Sequence, residues 1–276
     1  MTKKLDSIVP ELSVGLVLSG GGARGAAHIG MIKALEEYGL PVTHLSGSSS
    51  GAIVGALYAA GYGPDELFHF FKTNQNIFTW RYFTFSKPGM MDADRYREIF
   101  EPWFGKGDFE NLLRKLSICV TDILQGIPRY FSKGELVRPL LASAAVPGVF
   151  SPVEIDGVWY VDGGTMNNFP VEPLVDRCDF ILGSYVSPKR AFKKSELTNT
   201  FKLVNRATDL AALAASLSKF HHCDHVVVPK ELWKFGIFDT KRVEEIHQLG
   251  YESTVKSIGE IKKKFELCSA KVPRQF

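Results

Sequence analysis

Residues Gly47 to Gly51 read Gly-Ser-Ser-Ser-Gly, a Gly-x-Ser-x-Gly pentapeptide with Ser49 at its centre. Between a strand and a helix, such a turn is so sharp that the central serine is pushed outward, and only glycines, here Gly47 and Gly51, let the two elements approach that closely. The Ser49 hydroxyl then stands at a helix N-terminus, where unpaired amides and the helix dipole favour negative charge. Those are the conditions of a nucleophile. The plainer alternative is a flexible polar turn.

A nucleophilic serine needs a site for an oxyanion and a base. Upstream, Leu16 to Gly30 reads LVLSGGGARGAAHIG and fits Gly-x-Gly-x-x-Gly with Gly20, Gly22 and Gly25. In a dinucleotide-binding unit the following strand ends in an acid about 20 residues later. Here that strand is VTHLSG and ends without one, which disfavours a nicotinamide oxidoreductase. Backbone amides of Gly21, Gly22 and their neighbours, at the start of a helix, can serve a transient tetrahedral anion instead. Arg24 in the same loop adds positive potential, fixes the loop by hydrogen bonding, or is a solvated charge.

For the base, the seven histidines are His28, His44, His69, His221, His222, His225 and His247, and none lies in a loop of catalytic character. His28, one turn into the first helix, is expected to pack against the sheet. His221, His222 and His225, with Cys223 and Asp224, crowd metal-ligating types together in no zinc spacing, so no metal site is assigned. Asp162 in WYVDGGTMNNFP is the better candidate: apolar strand residues lead into it and Gly163 and Gly164 turn the chain after it, delivering a carboxylate to a strand end. An ordinary Asp-Gly hairpin turn is the alternative.

These stretches need a scaffold, and the chain has the means to build one. Its 276 residues, 45% of them hydrophobic, suffice for a single sizeable core and one domain spanning 1–276. The motifs occupy about 14–185, and a helical, basic portion follows over 186–276. Val14 to Leu18 is a short buried strand, followed by a helix in which Ile29, Ile32, Leu35 and Tyr38 recur at helical spacing before Gly39. VTHLSGSSSGAIVGALYAAG repeats the layout, and two successive strand-helix units imply a parallel sheet. Pro64 to Phe104 is helical and aromatic. KLSICVTDI and VEIDGVWYVDGG are further strands, the latter with a hairpin turn at Asp156-Gly157. CDFILGSYV and CDHVVVP add two more, and Thr240 to Phe265 is an amphipathic helix.

Composition excludes several classes. With 33 basic and 30 acidic residues the formal charge is only +3, so nucleic acid is not an expected partner, although attraction to anionic membrane surfaces stays open. Cys119, Cys178, Cys223 and Cys268 lie far apart without a CxxC pair, which favours a reduced, cytoplasmic chain. No N-terminal apolar run is long enough for a secretory signal, and none approaches the roughly 20 residues of a spanning helix.

Taken in order, SGGGARG at Ser19 to Gly25, GSSSG at Gly47 to Gly51 and DGG at Asp162 to Gly164 resemble the patatin-like phospholipases, particularly small bacterial members of the neuropathy-target-esterase branch. SAAVPGVFSPVEIDGVWYVDGGTMNNFPV is similar to the family over its whole length, and FDTKRVEEIHQLGYEST more weakly. The resemblance implies a three-layer α/β/α fold with a mostly parallel central sheet, akin to acyl-carrier-protein acyltransferases. It further implies a Ser49–Asp162 dyad without histidine, an oxyanion loop at Gly20, Gly21, Gly22, Arg24 and Gly25, and no metal or cofactor. The expected activity is hydrolysis of fatty-acyl esters in phospholipids or lysophospholipids. Acyl transfer to an acceptor other than water, and a regulatory protein without turnover, are the competing readings.

Two segments bear on the substrate. LFHFFKTNQNIFTWRYFTFSKPGMM gathers Phe68, Phe70, Phe71, Phe78, Trp80, Tyr82, Phe83 and Phe85, either as an acyl pocket or bilayer-facing cover or as core beneath a helical cap or an oligomer contact. Lys189, Arg190, Lys193 and Lys194, in an exposed loop running into a helix, either meet anionic head groups in peripheral membrane contact or form a solvated surface.

Overall fold

The computed structural model describes residues 12–75 and 82–271. Eight strands form one mixed sheet: β1 (Val14–Leu18), β2 (His44–Ser48), β3 (Lys115–Asp122), β4 (Ile127–Phe131), β5 (Val153–Ile155), β6 (Val158–Asp162), β7 (Phe180–Ser184) and β8 (His225–Val227). The run β3-β2-β1-β7-β8 is parallel, whereas β4, β5 and β6 are antiparallel additions at the β3 side. The β5–β6 hairpin turns at Asp156 (φ 50°) and Gly157 (φ 77°), as Asp-Gly at that place implies.

Strand and helix alternate as the apolar spacing predicts, with α1 (Ala26–Glu37) after β1 and α2 (Ser50–Ala60) after β2. The latter is almost wholly buried and ends on Gly61 in the left-handed conformation. Then come α3 (Pro64–Thr73), α4 (Arg97–Phe104), α5 (Val137–Ser143), α6 (Thr200–Leu217) and α7 (Val243–Ser269), which lies along α1. Two elements escape the sequence reading, β4 and α5. Strand β4 is an edge strand with exposed Arg129 and Tyr130, and α5 contains Pro139 in its first turns, so neither carries a clear apolar period.

Because successive side chains point to opposite faces, β1 feeds two cores. Val14, Leu16 and Leu18 pack with α1 and α2, while Val17 packs on the other face with Phe169, Val171, Leu174 and Tyr185, which Leu213 and Phe220 cover in part. The sheet is thus sandwiched between layers, as a three-layer α/β/α arrangement requires. Among the described residues, no helix is long and apolar enough to cross a membrane.

One irregularity positions the site. Strand β4 pairs with Ile118 to Asp122 of β3, overlapping the stretches paired with both β2 and β6, so β2 and β6 must share the opposite edge. Strand β2 ends there with Ser48 beside Cys119, and β6, running the other way, ends with Asp162 beside Val120. The two strand ends therefore meet head to head at consecutive residues of β3.

Candidate active site

Ser49 is the residue between β2 and α2, and it holds φ 52° and ψ −126°, a conformation rare for a residue with a Cβ. The glycines around it are sterically required. A Cβ on Gly51 would lie 2.2 Å from the Leu18 carbonyl oxygen, and one on Gly47 2.6 Å from the Gly51 backbone. The turn is anchored from behind by Ser143, at the end of α5. Its hydroxyl accepts from the Ser49 amide at 2.9 Å and donates to the Cys119 carbonyl at 2.7 Å.

Asp162 is buried at the end of β6; its carboxyl accepts a hydrogen bond from the Gly164 amide at 2.7 Å, and the Ser49 hydroxyl lies near enough to act on its proton affinity. Burial raises its pKa from 3.8 to about 6, and the Ser49 hydroxyl and the Gly164 amide act in the opposite direction. The main chain is fixed as well, by Asp162 N–H to the Ala145 carbonyl at 2.9 Å and by the Thr121 hydroxyl to the Asp162 carbonyl at 3.0 Å. A Cβ on Gly163 would come within 2.2 Å of the Cys119 carbonyl oxygen, so this turn too is pressed against β3.

The first glycine loop lies beside the same turn; a Cβ on Gly20 would be 3.1 Å from Cβ of Ser49. Its amides divide into two groups. Gly20 donates to the Asn168 carbonyl at 3.2 Å, Ala23 to Ile237 at 2.8 Å and Arg24 to Gly21 at 3.2 Å. The amides of Gly21 and Gly22 make no hydrogen bond among the described residues. Arg24 turns its Nε back to the Gly21 carbonyl at 3.2 Å, which fixes the loop. Burial lowers its pKa, and the nearby Asp209 carboxylate opposes that shift. Gly25 packs against Ser50, which a Cβ would approach to 2.7 Å.

The histidines stand apart from this arrangement. His28 is fully buried, with Nδ1 2.7 Å from the Ser184 hydroxyl and Nε2 2.8 Å from the Ser19 carbonyl. Burial drives its pKa down to about 4, so it is neutral in the folded chain. No cluster of three His, Cys, Asp or Glu side chains able to hold a metal occurs among the described residues.

Ser49 opens onto a cavity of about 170 Å³ lined almost entirely by apolar groups. Phe70, Phe71, Tyr96, Phe100 and Phe150 supply its aromatic wall, and Ile53 of α2 lies one helical turn beyond Ser49. Of the aromatic stretch, Phe70 and Phe71 line the cavity, Phe68 packs on the core, Tyr82 is buried, and Phe83 and Phe85 are exposed. Phe78 and Trp80 lie outside the described residues. The stretch thus divides among pocket, core and surface.

Sequence reasoning did not find Ser143 or the wall formed by Ile237, Phe238, Thr240 and Val243. None is a reactive type in a recognisable pattern. The weak likeness of FDTKRVEEIHQLGYEST was the available signal, and it carried no role.

A family model for patatin-like phospholipases matches residues 16–175, more than half of the chain and enclosing all three glycine-rich stretches. The chain belongs to the patatin-like phospholipase family. It is similar to an uncharacterized NTE family protein of Mycobacterium tuberculosis, 37% identical over 163 residues, covering 58% of this chain and 45% of that one. The lysophospholipase nte1 of Aspergillus fumigatus is 34% identical over 171 residues, covering 59% of this chain and 11% of that protein. The patatin-like chain thus spans less than half the length of these relatives. Human GIVD cytosolic phospholipase A2 has the same fold at TM-score 0.58 and 11% identity, covering 96% of this chain and 62% of that one.

Proposed function

We propose that this patatin-like chain is a serine lipid acyl hydrolase that cleaves fatty-acyl esters of phospholipids or lysophospholipids. The observation that carries the reading is the juxtaposition of Ser49 and the buried Asp162 carboxyl at two strand ends that meet along β3, with Ser49 lining an apolar cavity. The names of the fungal relatives, lysophospholipases, support the substrate class.

In the first step Asp162 accepts the Ser49 proton as Oγ attacks the ester carbonyl carbon. A carboxylate of ordinary pKa is a poor base toward an alcohol, and burial corrects part of that mismatch by raising its proton affinity. The tetrahedral oxyanion takes its hydrogen bonds from the free amides of Gly21 and Gly22. Collapse of this intermediate breaks the C–O bond to the alcohol, which leaves with the proton from Asp162. Water, deprotonated by the same carboxylate, then attacks the acyl-Ser49 ester; the fatty acid departs and the proton returns to Oγ. The apolar cavity holds the acyl chain throughout.

A panel of phospholipids and lysophospholipids assayed for released fatty acid, with Ser49→Ala as control, tests the proposal. Release by the wild-type chain alone is the expected result. Release that persists in the variant, or a panel without any release, removes it.

A further inference from the structure

Helix α6 is the least supported of the long helices. Among its described side chains, Arg206, Ala212, Leu213 and Ser216 are the sheltered ones. Leu203, Ala207, Leu210, Ala214 and Leu217 recur at spacings of four and three, which puts them along one stripe. That stripe faces outward: Leu203, Leu210 and Leu217 are 55%, 44% and 48% exposed, beside Val204 at 56%. A helix packed on its own domain buries such a stripe; here, among the described residues, it stays exposed.

The segment leading into α6 is basic. Lys189, Lys193, Lys194 and Lys202 are exposed and take part in no ion pair among the described residues. The one acid between them, Glu196, is paired with Arg190. The segment is also pinned in place: the Arg190 and Arg206 guanidinium groups lie 4.4 and 4.3 Å from the Phe192 ring, and Arg206 donates to the Arg190 carbonyl at 2.8 Å. Arg190 reaches Trp233, 5.7 Å away and 45% exposed. A few residues on, Ile237 and Phe238 are at once exposed and part of the cavity wall. On its other side α6 packs on the Gly163–Thr165 turn, next to exposed Met166.

We infer that α6 and its basic approach form a docking surface for an anionic phospholipid bilayer, with the leucine stripe in the interface and the lysines on the head groups. Charge decides this occupant over a second copy: two such surfaces brought together would oppose cation to cation, whereas an anionic bilayer complements them. The inference deepens the hydrolase reading and rests on it for its purpose, since docking there sets the cavity mouth beside the lipid from which the substrate is drawn.

The test is co-sedimentation of the Ser49→Ala chain with vesicles of phosphatidylcholine alone and of phosphatidylcholine mixed with phosphatidylglycerol. Binding is expected to be at least about tenfold tighter to the anionic vesicles and to weaken with added salt. Lys193→Ala and Lys194→Ala should each weaken it roughly fivefold, and the triple variant Leu203→Asp/Leu210→Asp/Leu217→Asp should abolish it. With Ser49 intact, that triple variant should keep its melting temperature and its hydrolysis of a soluble short-chain ester, which separates docking from folding. Equal binding to both vesicles, undiminished binding of the triple variant, or light scattering that shows a dimer dissociated by it would each overturn the inference. Docking without any ester hydrolysis would support it and remove only the hydrolase reading.

Discussion

Ser49 and Asp162 lie at the facing ends of two strands that run toward each other along one edge of β3, and the hydroxyl of the first is near enough to the carboxyl of the second to lower its pKa against the effect of burial. The contact needs no mobile loop on either side. Ser49→Ala and Asp162→Asn should each lower hydrolysis of a nitrophenyl ester by about 10²–10⁴-fold, without loss of folding in either. Kinetics and thermal melts on the two variants check this; full activity in either one removes the dyad.

The pH dependence follows from the carboxyl's burial. Asp162 must be ionised to take the serine proton, so kcat/KM should rise with pH through an apparent pKa of about 6. Stability runs the other way. A carboxyl whose folded pKa is raised contributes stability fully present below its ordinary value of 3.8 and lost as pH rises through about 6. At 1.36 kcal/mol per pH unit the interval corresponds to something on the order of 3 kcal/mol. Asp162→Asn should therefore gain stability relative to wild type between pH 4 and pH 7, measured by denaturant melts across that range.

Ser143 ties the serine turn to β3 through one hydroxyl that both accepts and donates. Ser143→Ala leaves the Ser49 amide and the Cys119 carbonyl without that partner, at a cost of about 1–3 kcal/mol. Since the hydroxyl touches no reacting atom, the expected signature is a fall in both melting temperature and kcat, with KM little changed. Ser143→Thr, which keeps the hydroxyl, should recover part of each; no recovery would assign the loss to packing alone.

A second polar cluster steadies the turn after Asp162. Lys219 donates to Asn167 at 2.8 Å and is paired with Glu172, while Asn167 donates to Tyr130 at 2.8 Å and to Glu172 at 2.9 Å. Burial works to raise the Glu172 pKa, but its hydrogen bonds to Lys219 and Asn167 prevail and hold it below the ordinary value. A depressed carboxyl contributes stability above its unfolded pKa and loses it as pH falls. Lys219→Met should thus lower the melting temperature more at pH 7 than at pH 4. An equal loss at both values would leave only the packing of the lysine stem.

The cavity gives a chain-length test. Ile53→Trp adds bulk one turn from Ser49, in the wall rather than at the reacting atoms. Hydrolysis of a long-chain ester should fall by tenfold or more, on the order of one to two methylenes' worth of lost binding, while a short-chain ester is spared. Equal losses on both substrates would place the acyl chain elsewhere.

Much of this was readable from residues alone. Short apolar runs ending in glycines, followed by helical spacing, specify strand-turn-helix units because those patterns have few other solutions in a buried sheet. Gly47 and Gly51 could be read as a sharp turn since backbone approaches within 3 Å exclude any Cβ. His28 was expected in the core and lies there, bonded to Ser184 and Ser19. What could not be read were contacts between segments distant in sequence. Ser143 and Ile237 have no reactive pattern of their own; their roles come from what they reach, the Ser49 amide and Cys119 carbonyl for the first, the Ala23 amide and the cavity for the second.

Local chemistry thus determined the individual pieces: a sharp serine turn, a glycine loop at a helix start, and an acid at a strand end. The tertiary structure decided that these pieces face one another. Parallel β2 and antiparallel β6 divide a single edge of β3, a pairing fixed by long-range backbone hydrogen bonds that no local pattern encodes. It also decided the carboxyl's proton affinity, because the layers packed around Asp162 exclude water from it, and that exclusion belongs to the folded chain alone.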